Sequence, residues 1–147
     1  MDIRPLSEHD LEYIVRIDEQ ISGLRRADHW ETRITYAIRR DAEGSWVAEE
    51  DGRVVGFLMA DVRGEEYGFS RPTGWLEVLA VRPEHRRKDI ASSLMAKAIL
   101  RFRAQGIKDI RTLVGDSHPG LRQFFENAGF QAEPVAVLHK KLEAVEA

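Results

Sequence analysis

The sequence contains no cysteine. Disulfide bonds, thiolate metal sites and reactions with a cysteine nucleophile are therefore excluded. The five histidines lack a His-x-x-x-His or comparable ligand spacing, so we also expect no metal cofactor. These histidines are His9, His29, His85, His118 and His139.

Long apolar runs are also missing. No segment approaches the roughly 20 consecutive apolar residues that a membrane-spanning helix needs. The start MDIR lacks both the basic and the apolar part of a signal peptide. We therefore expect a cytoplasmic protein with no membrane partner. The formal net charge of −3 argues against a nucleic-acid partner, although a local basic cluster leaves that alternative open.

Length and composition are those of a folded domain. A chain of 147 residues is within the usual size of one domain, and 43% hydrophobic residues is typical of a globular protein rather than a disordered one. No repeat, linker or low-complexity segment divides the sequence. We predict a single domain over residues 1–147.

The hydrophobic pattern predicts strands and helices in mixed order. A short strand near Ile3 precedes two amphipathic helices, the first capped by Ser7 and Asp10, and the Asp51-Gly52 turn joins a β-hairpin. The predicted helices are 11–21, 30–40, 90–102 and 119–128, and the later strands are 45–50, 53–62, 75–81, 110–114 and 135–142. This order is typical of an α/β domain with a mixed sheet.

The segment 75–102 combines a buried strand, a basic loop and a helix start. Residues 75–81 form a nearly continuous apolar run, which predicts a central strand buried on both faces. The exposed N–H groups and the dipole of a helix N-terminus favour anions, and nearby basic side chains strengthen that preference. The basic residues are Arg82, His85, Arg86, Arg87 and Lys88. They favour a bound phosphate or pyrophosphate, with a solvated charged loop as the alternative.

Two motifs resemble those of a known family. The run LEVLAVRPEHRRKDIASSLM resembles the acetyl-coenzyme A (acetyl-CoA) motif of the GCN5-related N-acetyltransferase (GNAT) family, and HPGLRQFFENAGF is similar to the family's next helix. The resemblance covers essentially the whole chain. It implies a mixed sheet of six to seven strands flanked by about four helices. It also implies a transferase that uses acetyl-CoA as co-substrate.

The resemblance also implies which residues hold acetyl-CoA. Backbone groups of Leu79, Ala80 and Val81 would bind the pantetheine arm like an added strand and donate an N–H to the thioester oxygen. The loop and the helix start would surround the pyrophosphate, and the acceptor amine would attack directly in a ternary complex. The residues implied at the pyrophosphate are Arg86, Arg87, Lys88, Asp89, Ile90, Ala91 and Ser92.

Asp89 departs from the family pattern, which has glycine at this position. A carboxylate here adds like charge beside a pyrophosphate and is expected to weaken cofactor binding by roughly tenfold to a thousandfold. We interpret Asp89 as the N-cap of the following helix, with its side chain hydrogen-bonded to the first N–H groups.

Phe125 is the second departure. It occupies the position at the cofactor where many family members carry the tyrosine that protonates the departing thiolate, and phenylalanine has no proton to donate. His118 stands near the implied thiol end and is a candidate replacement acid. Its alternative role is at a helix start or on the surface.

Glu77 is the first candidate for the catalytic base. A carboxylate in an apolar strand must face a cleft or be paired, and an ion pair with a nearby arginine is the alternative reading. Asp18 and Glu19 are expected beside the acceptor pocket, where they could recognise a cationic amine. Their alternative is a solvated helix end.

The acceptor is left open by the sequence. A protein N-terminus and a small-molecule amine are equally compatible with the motifs, and the loops 24–29 and 64–74 should decide between them. The alternative function is a weakened acyl-CoA-binding sensor of the same fold. A homodimer is a further open alternative.

Overall fold

The computed structural model describes residues 1–64, 68–86, 89–115 and 119–144. The chain forms two compact units, Met1–Leu113 and Val114–Ala147. The first unit contains the strands β1 (Asp2–Pro5), β2 (Trp46–Glu50), β3 (Arg53–Arg63), β4 (Thr73–Val81) and β5 (Ile110–Thr112). Its helices are α1 (Leu11–Ser22), α2 (Ala27–Arg40) and α3 (Ile90–Ala104).

The strands form one mixed sheet in the order β1-β2-β3-β4-β5. The first four strands pair antiparallel, and β5 runs parallel to β4. The mixed sheet is as predicted. Within the described residues it has five strands, fewer than the six to seven expected.

Helices cover both faces of this sheet. A Cβ built at Gly56 on β3 would meet Ile90 of α3 at 3.1 Å, whereas the next residue, Phe57, packs its ring edge-on against Trp30 of α2. Since successive residues of a strand point to opposite faces, α2 and α3 lie on opposite sides. The core on the α1 and α2 side also contains Ile14 and Val47, both fully buried.

Local sequence signals position these elements. Ser7 and Asp10 form the predicted capping box, since the Ser7 N–H donates to the Asp10 carboxylate at 2.9 Å. Gly23 ends α1 with φ of 79°. Asp51 and Gly52 both have positive φ in the turn between β2 and β3, the conformation that a tight hairpin requires.

The second unit contains α4 (Pro119–Asn127). Phe125 is buried, and its ring packs edge-on against Phe124 and Phe130. The described residues 131–144 form no strand, so the prediction of a strand over 135–142 is wrong. Apolar spacing alone does not make a strand, because its N–H and C=O groups need a neighbouring strand. Here Val137 and Leu138 are 83% and 91% exposed.

None of the described helices combines the length and the apolar character needed to cross a membrane.

Candidate functional site

Among the described strands, none pairs with one edge of β4 over its second half. β5 pairs only with Gly74, Trp75 and Leu76. Beyond Leu76, β4 continues to Val81 beside β3, while no strand of the described sheet lies on its other side. The expected burial on both faces therefore holds for the start of β4, whereas residues 78–80 are only half-buried.

Two residues present their backbone groups to this open edge. The Arg82 N–H donates to the Val55 carbonyl of β3 at 2.8 Å, so Arg82 faces β3. The N–H and C=O groups of successive residues point to opposite edges of a strand. Those of Ala80 therefore also point toward β3, whereas those of Leu79 and Val81 point toward the open edge. Of the three residues expected to bind the pantetheine arm, only Leu79 and Val81 offer backbone hydrogen bonds at this edge, and Ala80 does not.

A β-bulge at Glu77 causes this arrangement. Leu76 lies opposite Ala60, and Val78 lies opposite Met59, so Glu77 is the extra residue of β4. A bulge shifts the alternation by one residue and bends the strand. It therefore directs the backbone N–H and C=O groups of Leu79 toward the edge of β4 at which Leu76 pairs with β5.

The first N–H groups of α3 have no acceptor within the helix. The Ser93 N–H donates to the Asp89 carbonyl at 3.1 Å in the first turn of the helix. The preceding N–H groups, of Ile90, Ala91 and Ser92, have no acceptor within the helix. Ile90 is fully buried against Gly56, which fixes this end of the helix on the sheet. The three N–H groups can bind an anion.

Asp89 does not cap α3 as predicted. It occupies the N-cap position, but its side chain makes no capping hydrogen bond, so that part of the interpretation is wrong. Its φ of 58° lies in the left-handed region, where glycine is favoured and aspartate is tolerated. The backbone conformation, not a side-chain bond, explains why glycine suits this position.

The basic loop is only partly described. Arg87 and Lys88 lie outside the described residues. The Arg86 side chain donates to the Val81 carbonyl at 3.4 Å, a long hydrogen bond that an incoming anion could replace. Ser92 is exposed and Ala91 half-buried at the helix start.

Glu77 is held by two arginines. Its carboxylate accepts a hydrogen bond from Arg63 at 2.9 Å and lies 3.6 Å from Arg33. The Glu77 side chain is 25% exposed. The ion pair between Glu77 and an arginine, which the sequence offered as an alternative, is therefore present. It lies at the wall of a pocket.

The pocket lies between α2, β3 and the bulge of β4. Its volume is about 200 Å³. Within it, Asp61 pairs with Arg40 at 3.1 Å and lies 3.9 Å from Arg63. The lining residues are Thr32, Arg33, Tyr36, Ala37, Arg40, Met59, Ala60, Asp61 and Glu77.

No motif in the sequence pointed to these arginines or to Asp61. Strand alternation could have placed Asp61 and Arg63 on the face of Met59. Helical spacing could likewise have placed Arg33 and Arg40 on one face of α2. Their meeting with Glu77 depends on the bulge, which no sequence signal marked.

Asp18 serves a structural role. The residue is 8% exposed. Its carboxylate accepts two hydrogen bonds from Arg26 at 2.7 and 3.0 Å and one from the Trp30 indole at 2.8 Å. Burial raises the pKa of Asp18, but the hydrogen bonds from Arg26 and Trp30 outweigh it and leave the pKa below its ordinary value. Asp18 is thus neither a solvated helix end nor an available amine ligand. Glu19 is exposed.

His118 lies outside the described residues. Phe125 belongs to the aromatic cluster of the second unit. Among the residues that the structure describes, no three histidine, aspartate or glutamate side chains are grouped as metal ligands.

Comparison with known proteins identifies the family and the fold. Residues 8–130 match the model described as the acetyltransferase (GNAT) family. A relative named acetyltransferase, from Yersinia pestis (strain Pestoides F), is 24% identical over 97% of this chain and 96% of its own.

Solved structures of similar fold include aminoglycoside acetyltransferases. AAC(6')-Iy in complex with CoA has a TM-score of 0.83 and 21% identity, covering 95% of this chain and 93% of that one. The apo 6'-N-acetyltransferase AAC(6')-IG from Acinetobacter haemolyticus has a TM-score of 0.80 and 21% identity, covering 97% and 100%. At these identities the likeness establishes the fold.

Proposed function

Since the chain belongs to the acetyltransferase (GNAT) family, we propose that it transfers an acetyl group from acetyl-CoA to a primary amine. The observation that carries the proposal is the open edge of β4 beside the N-terminus of α3. Leu79 and Val81 present backbone groups along that edge. An extended pantetheine arm can bind there as a peptide strand would.

The chain offers binding groups for each part of acetyl-CoA. The Leu79 N–H would donate to the thioester oxygen and stabilise negative charge as it develops there. The N–H groups of Ile90, Ala91 and Ser92 would bind the pyrophosphate, joined by the Arg86 guanidinium once it leaves the Val81 carbonyl. The CoA complex of AAC(6')-Iy, a protein of the same fold, supports this choice of ligand.

Glu77 is the proposed catalytic base. It stands two residues before Leu79, or about 7 Å along the strand, and its carboxylate lines the pocket. It would take the one proton that the neutral acceptor amine loses as its nitrogen attacks. Acetyl-CoA supplies a thioester whose C–S bond breaks as the N–C bond forms, and its thiolate finally takes the proton.

Calorimetry and a thiol-release assay test the proposal on the full chain. We expect micromolar binding of acetyl-CoA, and release of free thiol when a panel of primary amines is added. Binding without release would favour the sensor alternative, while no binding of acetyl-CoA would refute the proposed site.

A further inference from the structure

We propose that the acceptor is a small amine that also carries a carboxylate, and that Arg33 binds that carboxylate. The inference rests on the proposed function, because the pocket is taken as the acceptor site. It goes further by naming the class of acceptor and the residue that selects it.

The charges around the pocket favour an anionic group. Three guanidiniums, of Arg33, Arg40 and Arg63, surround two carboxylates, of Asp61 and Glu77. Each carboxylate already lies beside two of the guanidiniums. Neither carboxylate can therefore bind a cationic group without leaving an arginine, whereas the carboxylate of a ligand would be attracted to Arg33.

Arg33 is the guanidinium placed to bind it. Its contact with Glu77 is 3.6 Å, longer than a normal hydrogen bond, and its side chain is 30% exposed. The guanidinium lies over the Trp30 ring, 5.4 Å from the ring centroid, and Trp30 is buried. This stacking holds the planar group in place while its N–H groups stay available for bidentate binding of a carboxylate.

The pocket volume favours a small ligand. About 200 Å³ is below the ~300–1,000 Å³ typical of sites for drug-sized molecules. An amino-acid-sized acceptor fits this volume, with its carboxylate on Arg33 and its amine toward Leu79.

The transfer itself balances. The acceptor nitrogen forms a bond to the acetyl carbon, the C–S bond breaks, and the electron pair leaves on sulfur. The proton lost by nitrogen passes through Glu77 to the thiolate. The carboxylate on Arg33 takes no part in bond making, so Arg33 is a specificity residue.

Matched amines test the proposal. β-Alanine, 4-aminobutyrate and 5-aminovalerate are compared with ethylamine, propylamine and butylamine, each measured for turnover and for binding to the CoA-saturated protein. We expect at least one amino acid to bind about tenfold or more tightly than its matched amine. In Arg33→Gln the preference for the amino acid over its matched amine should disappear. The KM for the amino acid should rise about tenfold while kcat stays nearly unchanged, because a charge-assisted hydrogen bond contributes about that factor to binding. Arg33→Lys should restore part of the preference.

Arg39→Gln is the matched control, since Arg39 is an exposed arginine of α2 that does not line the pocket. It should behave as the unmodified protein. Equal binding of amino acids and matched amines, or an unchanged preference in Arg33→Gln, would overturn the proposal. A loss of acetyl-CoA affinity in Arg33→Gln as large as the loss of amino-acid affinity would also overturn the proposal, because it would indicate a structural role for Arg33. If acetyl-CoA binds but no carboxylate preference appears, this inference fails and the proposed function stands.

Discussion

The Arg63 guanidinium on β3 donates a hydrogen bond to the Glu77 carboxylate across 2.9 Å. This contact joins the long strand β3 to the bulge of β4, where the edge toward β5 becomes open. It also fixes the direction of the carboxylate toward α2. The residue proposed as base therefore lies within the paired strand β4, at its bulge, and not in a connecting loop.

Glu77→Gln should lower kcat while leaving acetyl-CoA affinity unchanged. The amide keeps the side-chain shape but cannot accept a proton, and loss of a general base typically costs about 10²–10⁴-fold in rate. Steady-state kinetics and calorimetry provide the two readouts. Glu31→Gln, on the exposed face of α2, is the control. A kcat within twofold of the unmodified protein would remove Glu77 from the mechanism.

Asp89→Asn should tighten acetyl-CoA binding by about fivefold or more, because it removes one negative charge beside the proposed pyrophosphate site. Asparagine also tolerates the left-handed backbone conformation, so the helix start should be unchanged. Asp89→Gly tests the backbone as well and should bind at least as tightly. Titration calorimetry gives the dissociation constants. Unchanged or weaker binding in both variants would contradict the charge argument.

Gly56→Ala should destabilise the protein by about 1–3 kcal/mol, the usual cost of overpacking. The new methyl group would lie 3.1 Å from Ile90 and 3.2 Å from the Ala80 carbonyl, and neither can move away easily. We expect weaker acetyl-CoA binding too, since the start of α3 would shift. Thermal unfolding and calorimetry measure the two effects. Gly120→Ala, with open space around its Cβ, should show neither.

Asp18→Asn should lower stability near neutral pH by about 1–3 kcal/mol, because charged hydrogen bonds to Arg26 and Trp30 are weakened. The folded pKa of Asp18 lies below its ordinary 3.8. Its stabilisation is therefore present above about pH 4 and is lost as pH falls through the folded pKa.

Chemical unfolding at several pH values measures this dependence. The difference between the unmodified protein and Asp18→Asn should shrink below pH 4. Asp2→Asn, at an exposed position, is the control. A difference that stays constant down to pH 2 would exclude this titration as its cause.

The sequence by itself determined the family, the order of the first nine elements and the turn at Asp51-Gly52, because local patterns and glycine preferences specify them. It also located the helix start at Ile90. It erred on residues 135–142, where apolar spacing predicted a strand. A strand exists only through its neighbours, and the described residues there have none.

Only the tertiary structure decided in which direction the backbone groups of the site point and which side chains lie next to Glu77. The bulge at Glu77 turns the backbone groups of Leu79 and Val81 to the open edge, and it arises from the pairing of β3 with β4, whose partners lie ten or more positions apart in sequence. The same pairing brings Arg63 to Glu77, and the packing of α2 adds Arg33. Contacts between distant segments carry no local sequence signal, so these relationships could be read only from the folded chain.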